Sequence, residues 1–151
     1  MDAVTYPDDK VAEFINGILI PLRVKSDSMP LSKEFNVTWT PALVTLDQDG
    51  KEHHRTVGFL PPSELIPSLL LGIAKVNFDL GKFDACLERL EKLLSQYPKS
   101  KAAPEAVFLR GVAGYKSTHD AKPLKAAYEK LQADYPQSEW ADRAQPYRLL
   151  P

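Results

Sequence analysis

A five-residue run of strong strand formers, Ala42-Leu43-Val44-Thr45-Leu46, stands between Thr40-Pro41 and Asp47-Gln48-Asp49-Gly50. A more polar run, Glu52 to Val57, follows at once. The first run is short and rich in apolar residues, which predicts a strand covered on both faces. Asp49-Gly50 predicts the tight turn, because glycine accepts positive φ and aspartate tolerates it. Glu52 to Val57 then returns as the partner strand, nearer the sheet edge. Any fold for this chain must be built around that hairpin.

On its N-terminal side, Met1 to Tyr6 looks helical and ends at Tyr6-Pro7-Asp8. Asp8 is placed to cap a second helix, from Asp9 to about Ile15, with Val11, Phe14, Ile15 and Ile18 on one face and Asn16-Gly17 as the stop. Leu19 to Val24 reads as a strand. Pro21 within it has no amide hydrogen for a ladder, which puts it at or near an edge. Ser26 to Met29 is a loop, and Pro30 to Phe35 a short helix closed at Asn36. On the C-terminal side, Pro61 and Pro62 suit the first turn of a helix, and Pro67 one turn later predicts a kink or a restart. From Gly72 onward the texture is long amphipathic helices, with Phe83, Leu87, Leu90, Leu94 and Tyr97 as one apolar stripe.

Thr40-Pro41 leading into this hairpin resembles the second half of a thioredoxin fold. The run from Met1 to Asn16 is similar to the segment that follows the CxxC motif in thioredoxin-like proteins related to disulfide-exchange domains. The resemblance covers roughly Met1 to Leu71. It implies a cis peptide at Thr40-Pro41 and a substrate-binding loop of Trp39, Thr40 and Pro41 that pairs with an extended peptide. It also implies a cysteine pair and a central strand ahead of the first helix, and this chain contains neither. Leu19–Val24 is therefore expected to pair directly with Ala42–Leu46, or another chain to supply a strand, so a homo-oligomer through unpaired sheet edges is one expectation.

The pattern Gly72-x-Ala74-x-x-x-Phe78-x-x-Gly81-x-Phe83-x-Ala85 resembles a tetratricopeptide repeat, with small residues where two helices cross. Gly72-Ile73-Ala74 is echoed by Gly111-Val112-Ala113, and Tyr97-Pro98-Lys99-Ser100 by Tyr135-Pro136-Gln137-Ser138. The spacing of 38 to 39 residues exceeds the usual ~34, and the excess fits between helix pairs at Lys101 to Glu105. A helix from Pro104 to Tyr115–Thr118, another from Pro123 to Tyr135 and a capping helix over Ser138 to Ala144 are expected. The predicted fold is thus an incomplete α/β thioredoxin-like portion over residues 1–71, its first central strand missing, followed by all-α antiparallel helix pairs of tetratricopeptide type over 72–151.

Net charge is −1 and no basic stripe is present, which argues against nucleic-acid binding. The longest apolar stretch, Leu69 to Val76, is too short to span a bilayer. The first residues lack the pattern of a signal peptide, so a cytoplasmic location is expected. Cys86 is the only cysteine, excluding a CxxC motif within these residues, and its place beside a helical stripe predicts a small buried hydrophobe. His53 and His54 are adjacent in a strand, which predicts side chains on opposite faces. Asp47, Asp49 and Glu52 fit a hairpin better than a calcium loop, so neither metal nor cofactor is expected. Lys82, Asp84, Glu88, Arg89, Glu91 and Lys92 form an ordinary charged helix face. The resemblance implies descent from thiol–disulfide oxidoreductases with no exchange activity in this chain as it stands. The other reading is a non-catalytic adaptor that binds protein or peptide partners through the cis-proline loop and the helical repeats.

Overall fold

The computed structural model describes residues 1–151. Met1 to Tyr6 is a series of turns rather than a helix. Three amides, those of Val4, Thr5 and Tyr6, converge on the Met1 carbonyl, and the buried Thr5 hydroxyl donates to the Leu60 carbonyl at 2.7 Å. That tertiary bond fixes the segment against the start of a distant helix. The first helix, α1, runs Asp9–Ile18 with Asp8 capping it, its carboxylate accepting from the Val11 amide. It passes through Asn16-Gly17, because Gly17 keeps helical geometry, and stops only where Leu19 turns extended.

Leu19–Val24 is not a strand. Leu19 is extended, residues 20–24 hold no helix, turn or bend and make no backbone hydrogen bond, and the sheet has only two members. A strand needs a neighbour's backbone, and none lies alongside. A short helix, α2 (Leu31–Glu34), ends at Phe35, and Asn36 follows with φ 47°. The hairpin is β1 (Ala42–Leu46) and β2 (Glu52–Val57), antiparallel, with Ala42 opposite Val57 and Thr45 opposite His54. Gly50 takes φ 80° at the turn, and the Asp47 carboxylate accepts from the amides of Asp49 and Lys51, both at 2.9 Å. β1 is half-buried rather than covered on both faces, since α3 is the one helix that packs on the hairpin.

The long helix α3 (Pro62–Asp79) runs unbroken through Pro67, whose ring is buried. The missing Pro67 amide costs a single helical bond, the one to the Ser63 carbonyl near the start of α3. Two antiparallel pairs follow: α3 with α4 (Phe83–Gln96), and α5 (Ala103–Thr118) with α6 (Lys122–Asp134). A short α7 (Glu139–Arg143), capped by Ser138, and a 3-10 helix, Gln145–Leu149, close the end. One apolar core joins Val11 of α1, Leu65, Leu70, Leu71 and Ala74 of α3, Leu90 and Leu93 of α4 and Ala106 of α5. A smaller one at the far end holds Val107, Ala127 and Leu131.

The glycines in the two echoed motifs do different work. Gly111 lies where α5 crosses α6: a Cβ there would stand 2.5 Å from the Ala127 Cβ. Gly72 faces the hairpin instead of α4, and a Cβ there would stand 2.6 Å from the Thr45 hydroxyl. Small size at Gly72 lets the sheet lie on the helix.

Candidate functional site

The loop before β1 is Val37 to Pro41. Its base is pinned by Arg55 of β2, which donates to both carboxylate oxygens of Glu52 (2.7 and 2.6 Å) and to the Phe35 carbonyl at 2.6 Å. The bidentate pair holds the Glu52 carboxyl below its usual range and the Arg55 guanidinium above its own. The Thr40–Pro41 peptide is cis, as is Met29–Pro30. The Pro41 carbonyl accepts from the Gly58 amide at 2.8 Å and so belongs to the hairpin. One residue earlier the pairing ends: Thr40 makes no backbone hydrogen bond. Trp39 is 70 % exposed, and Ser26, Val37, Thr38, Trp39 and Thr40 line a shallow cavity of about 370 Å³. The three residues expected at a peptide site are thus contiguous on the surface, beside the open edge of β1.

Cys86 is far from such a role. It is fully buried on α4, and burial, with a smaller contribution from Asp79, pushes its thiol up to about 11. At neutral pH it carries almost no thiolate, the species that attacks a disulfide.

A bulge in the hairpin corrects the expectation that His53 and His54 face opposite ways. The register slips between Thr45 and Leu46, and both rings reach α3. His53 is buried between two carboxylates, Nε2 at 2.9 Å from Asp47 and Nδ1 at 2.6 Å from Asp79. Two carboxylate partners call for two N–H donors, and the Asp47 and Asp79 bonds, in that order, hold the imidazole pKa above its usual value. Asp47 is held low, by His53 first and the Lys51 amide next. His54 is the reverse case. Burial, and then Lys75, push it down to about 4, so it is neutral. Lys75 donates to its Nδ1 at 3.2 Å, which leaves Nε2–H to donate to the Ser68 hydroxyl at 3.3 Å. In that tautomer His54 has no lone pair toward Ser68 and is no base for it.

These contacts give a pH signature. His53, raised, contributes stability that is complete below about 6.5 and is lost as pH climbs through its folded pKa. Asp47, lowered, contributes above the ordinary carboxylate range and loses its part as pH falls through its own folded pKa. His54 acts oppositely to His53, costing stability as pH drops from about 6.5 toward 4. The melting-temperature gap between wild type and His53→Gln is therefore expected to be wider at pH 6 than at pH 9. A gap that widens with rising pH contradicts the two-carboxylate arrangement.

A model described as a thioredoxin-like domain matches residues 3–71, and one described as a tetratricopeptide repeat matches residues 68–100. The chain carries a thioredoxin-like domain joined to a tetratricopeptide repeat. No curated protein and no solved structure matches it. The thioredoxin-like match ends inside α3 and the repeat match begins there, so this helix serves both parts. The thioredoxin-like fold is incomplete, with two strands, and the repeat match covers α3 from Ser68 onward and all of α4. The α5–α6 pair lies beyond the matched residues. No helix is long and apolar enough to cross a membrane.

Sequence reasoning missed the His53 contacts altogether. Asp79 lies 26 residues from His53, and the bulge that turns the ring toward it has no signal beyond the odd length of the Asp47–Lys51 turn.

Proposed function

We propose that this chain, as it stands, is a non-catalytic protein-binding module of oxidoreductase descent. Its thioredoxin-like part takes an extended peptide at Trp39, Thr40 and Pro41. The observation that carries the reading is the coincidence of an exposed Trp39, an unpaired Thr40 backbone and an open β1 edge in one place. Main-chain groups of a strand edge supply affinity to an added strand, and neighbouring side chains supply selectivity. Dithiol exchange needs an accessible thiolate and a second thiol to resolve the mixed disulfide. Against that requirement the chain offers one buried thiol.

The working division is a partial thioredoxin-like domain over 1–71 and a repeat region over 72–151, supported by where the two family matches meet. Tetratricopeptide-type helix pairs commonly mediate protein interactions, which favours protein partners for the second part as well. A cytoplasmic setting is consistent with the single, unpaired cysteine.

The test is a titration with a cysteine-free, fluorescein-labelled peptide of alternating Val and Thr, followed by anisotropy. Binding is expected, and Trp39→Ala is expected to weaken it by about tenfold or more, the loss typical of a truncated aromatic anchor. Equal affinity of wild type and Trp39→Ala removes the loop from the binding site.

A further inference from the structure

Thr38, Trp39 and Thr40 make no backbone hydrogen bond, so the shape of the loop is set by what holds its two ends. The far end is tied by the Gly58 amide, which donates to the Pro41 carbonyl at 2.8 Å. The near end leaves α2 through a left-handed Asn36, φ 47°. There the Val37 amide turns back to the Ser32 carbonyl at 2.8 Å, and the Asn36 amide to that of Lys33 at 3.1 Å. This double closure ends a helix and fixes the direction in which the chain leaves it. It is local, however, and does not set where the end of α2 stands against the sheet. Arg55 of β2 makes that connection. Its Nη2 donates both to the Glu52 carboxylate and to the Phe35 carbonyl, each at 2.6 Å, while Nε completes the fork on Glu52 at 2.7 Å.

We propose that Arg55 is the positioning residue of the peptide loop, with Glu52 as the side chain that aims it. The inference rests on the reading that Trp39, Thr40 and Pro41 take an extended peptide, and it names what holds them ready for one. Arg55 and Gly58 stand within four consecutive residues, at the end of one strand, so a single segment sets the spacing of both ends of the loop. The guanidinium is planar, and two bonds to one carboxylate fix its plane. With one Nη2 hydrogen on Glu52, the other is aimed at the Phe35 carbonyl. Glu52 thus acts on the loop through Arg55. Charge alone does not do this, because a lysine keeps the charge and loses the fork. A loop held in its binding form has little ordering left to do when a peptide arrives. A loose one lowers the apparent affinity by the fraction of time it spends in that form.

The test reads a set of variants in two ways: by titration with the Val-Thr peptide, and by NMR relaxation of the Thr38, Trp39 and Thr40 amides. In the wild type these amides are expected to have order parameters of about 0.85, those of rigid backbone, and in Arg55→Met to fall below about 0.6. Arg55→Met is expected to bind the peptide about fivefold more weakly or worse. Its melting temperature is expected to drop by no more than about 3 °C, since the Arg55 and Glu52 side chains are 26 and 32 % exposed. Arg55→Lys is expected to behave like Arg55→Met. Glu52→Ala is expected to loosen the loop in the wild-type background and to add nothing in the Arg55→Met background, as for two residues acting as one unit. Arg110→Met breaks the ion pair with Glu91 between α5 and α4 and is expected to leave both readouts unchanged. Unchanged loop order and affinity in Arg55→Met overturn the proposal. So does a Glu52→Ala effect that adds in full to that of Arg55→Met. The two readouts also separate the two readings. A loop that loosens in Arg55→Met, in a chain that does not bind the peptide, supports the clamp and overturns the peptide site. Binding that Trp39→Ala weakens and Arg55→Met does not overturns the clamp and leaves the peptide site standing.

Discussion

Leu70→Ala is expected to destabilise the chain by about 4 kcal/mol, with a fall in melting temperature of roughly 10 °C. Leu70 is fully buried at the middle of α3, in the core that also holds Val11 of α1, Leu90 of α4 and Ala106 of α5. Removing its three terminal carbons loses their transfer free energy and leaves a cavity that helices on several sides cannot close together. The value sits high in the usual range for that reason. Because the same core receives residues from before and after the hairpin, fluorescence and circular dichroism are expected to report one shifted transition. A loss under 1 kcal/mol, or a transition that splits in two, contradicts a shared core.

The second large effect is expected at Gly111. A Cβ there would approach the Ala127 Cβ to 2.5 Å and the Pro123 carbonyl oxygen to 3.0 Å. Neither neighbour can rotate away, since one is bonded directly to the backbone and the other is backbone. Gly111→Val is therefore expected to cost about 3 kcal/mol by forcing α5 and α6 apart, the upper end of what overpacking exacts. The small gain in helix propensity offsets only a few tenths of a kcal/mol of this. Gly17→Ala is the matching control. Nothing lies within 4 Å of a Cβ there, and the residue is helical, so that change is expected to stabilise by about 0.5 kcal/mol. Chemical denaturation of the two variants checks both signs.

The parts of the fold that could be read from the sequence are those set by local chemistry. The run Ala42 to Leu46 and the Asp-Gly turn specify the hairpin, and Asp8, Pro62, Pro104 and Pro123 mark helix starts to within a residue or two. The failures share a cause: they depend on a partner distant in the chain. Leu19–Val24 has the composition of a strand, yet pairing is a property of two segments, and no second one lies alongside it in this structure. Asn16-Gly17 carries a stop signal that α1 ignores while its apolar face still packs on α3. Gly72 fits a helix-crossing motif but faces a sheet, because the hairpin occupies the side of α3 that it exposes. At the site, a buried Cys86 followed from its place beside a helical apolar stripe. Exposure of Trp39 and the clamp of His53 by Asp47 and Asp79 did not follow, since neither loop orientation nor a bulge is encoded in residue type alone.

The function proposed above is that this chain, as it stands, binds protein partners and does not exchange disulfides. The most direct measurement is the turbidity assay of insulin reduction by dithiothreitol, run with the wild-type chain and with Cys86→Ser. The account predicts that both traces overlay the buffer control, because the one thiol is buried and its pKa stands at about 11. Acceleration by the wild-type chain, abolished in Cys86→Ser, would contradict it.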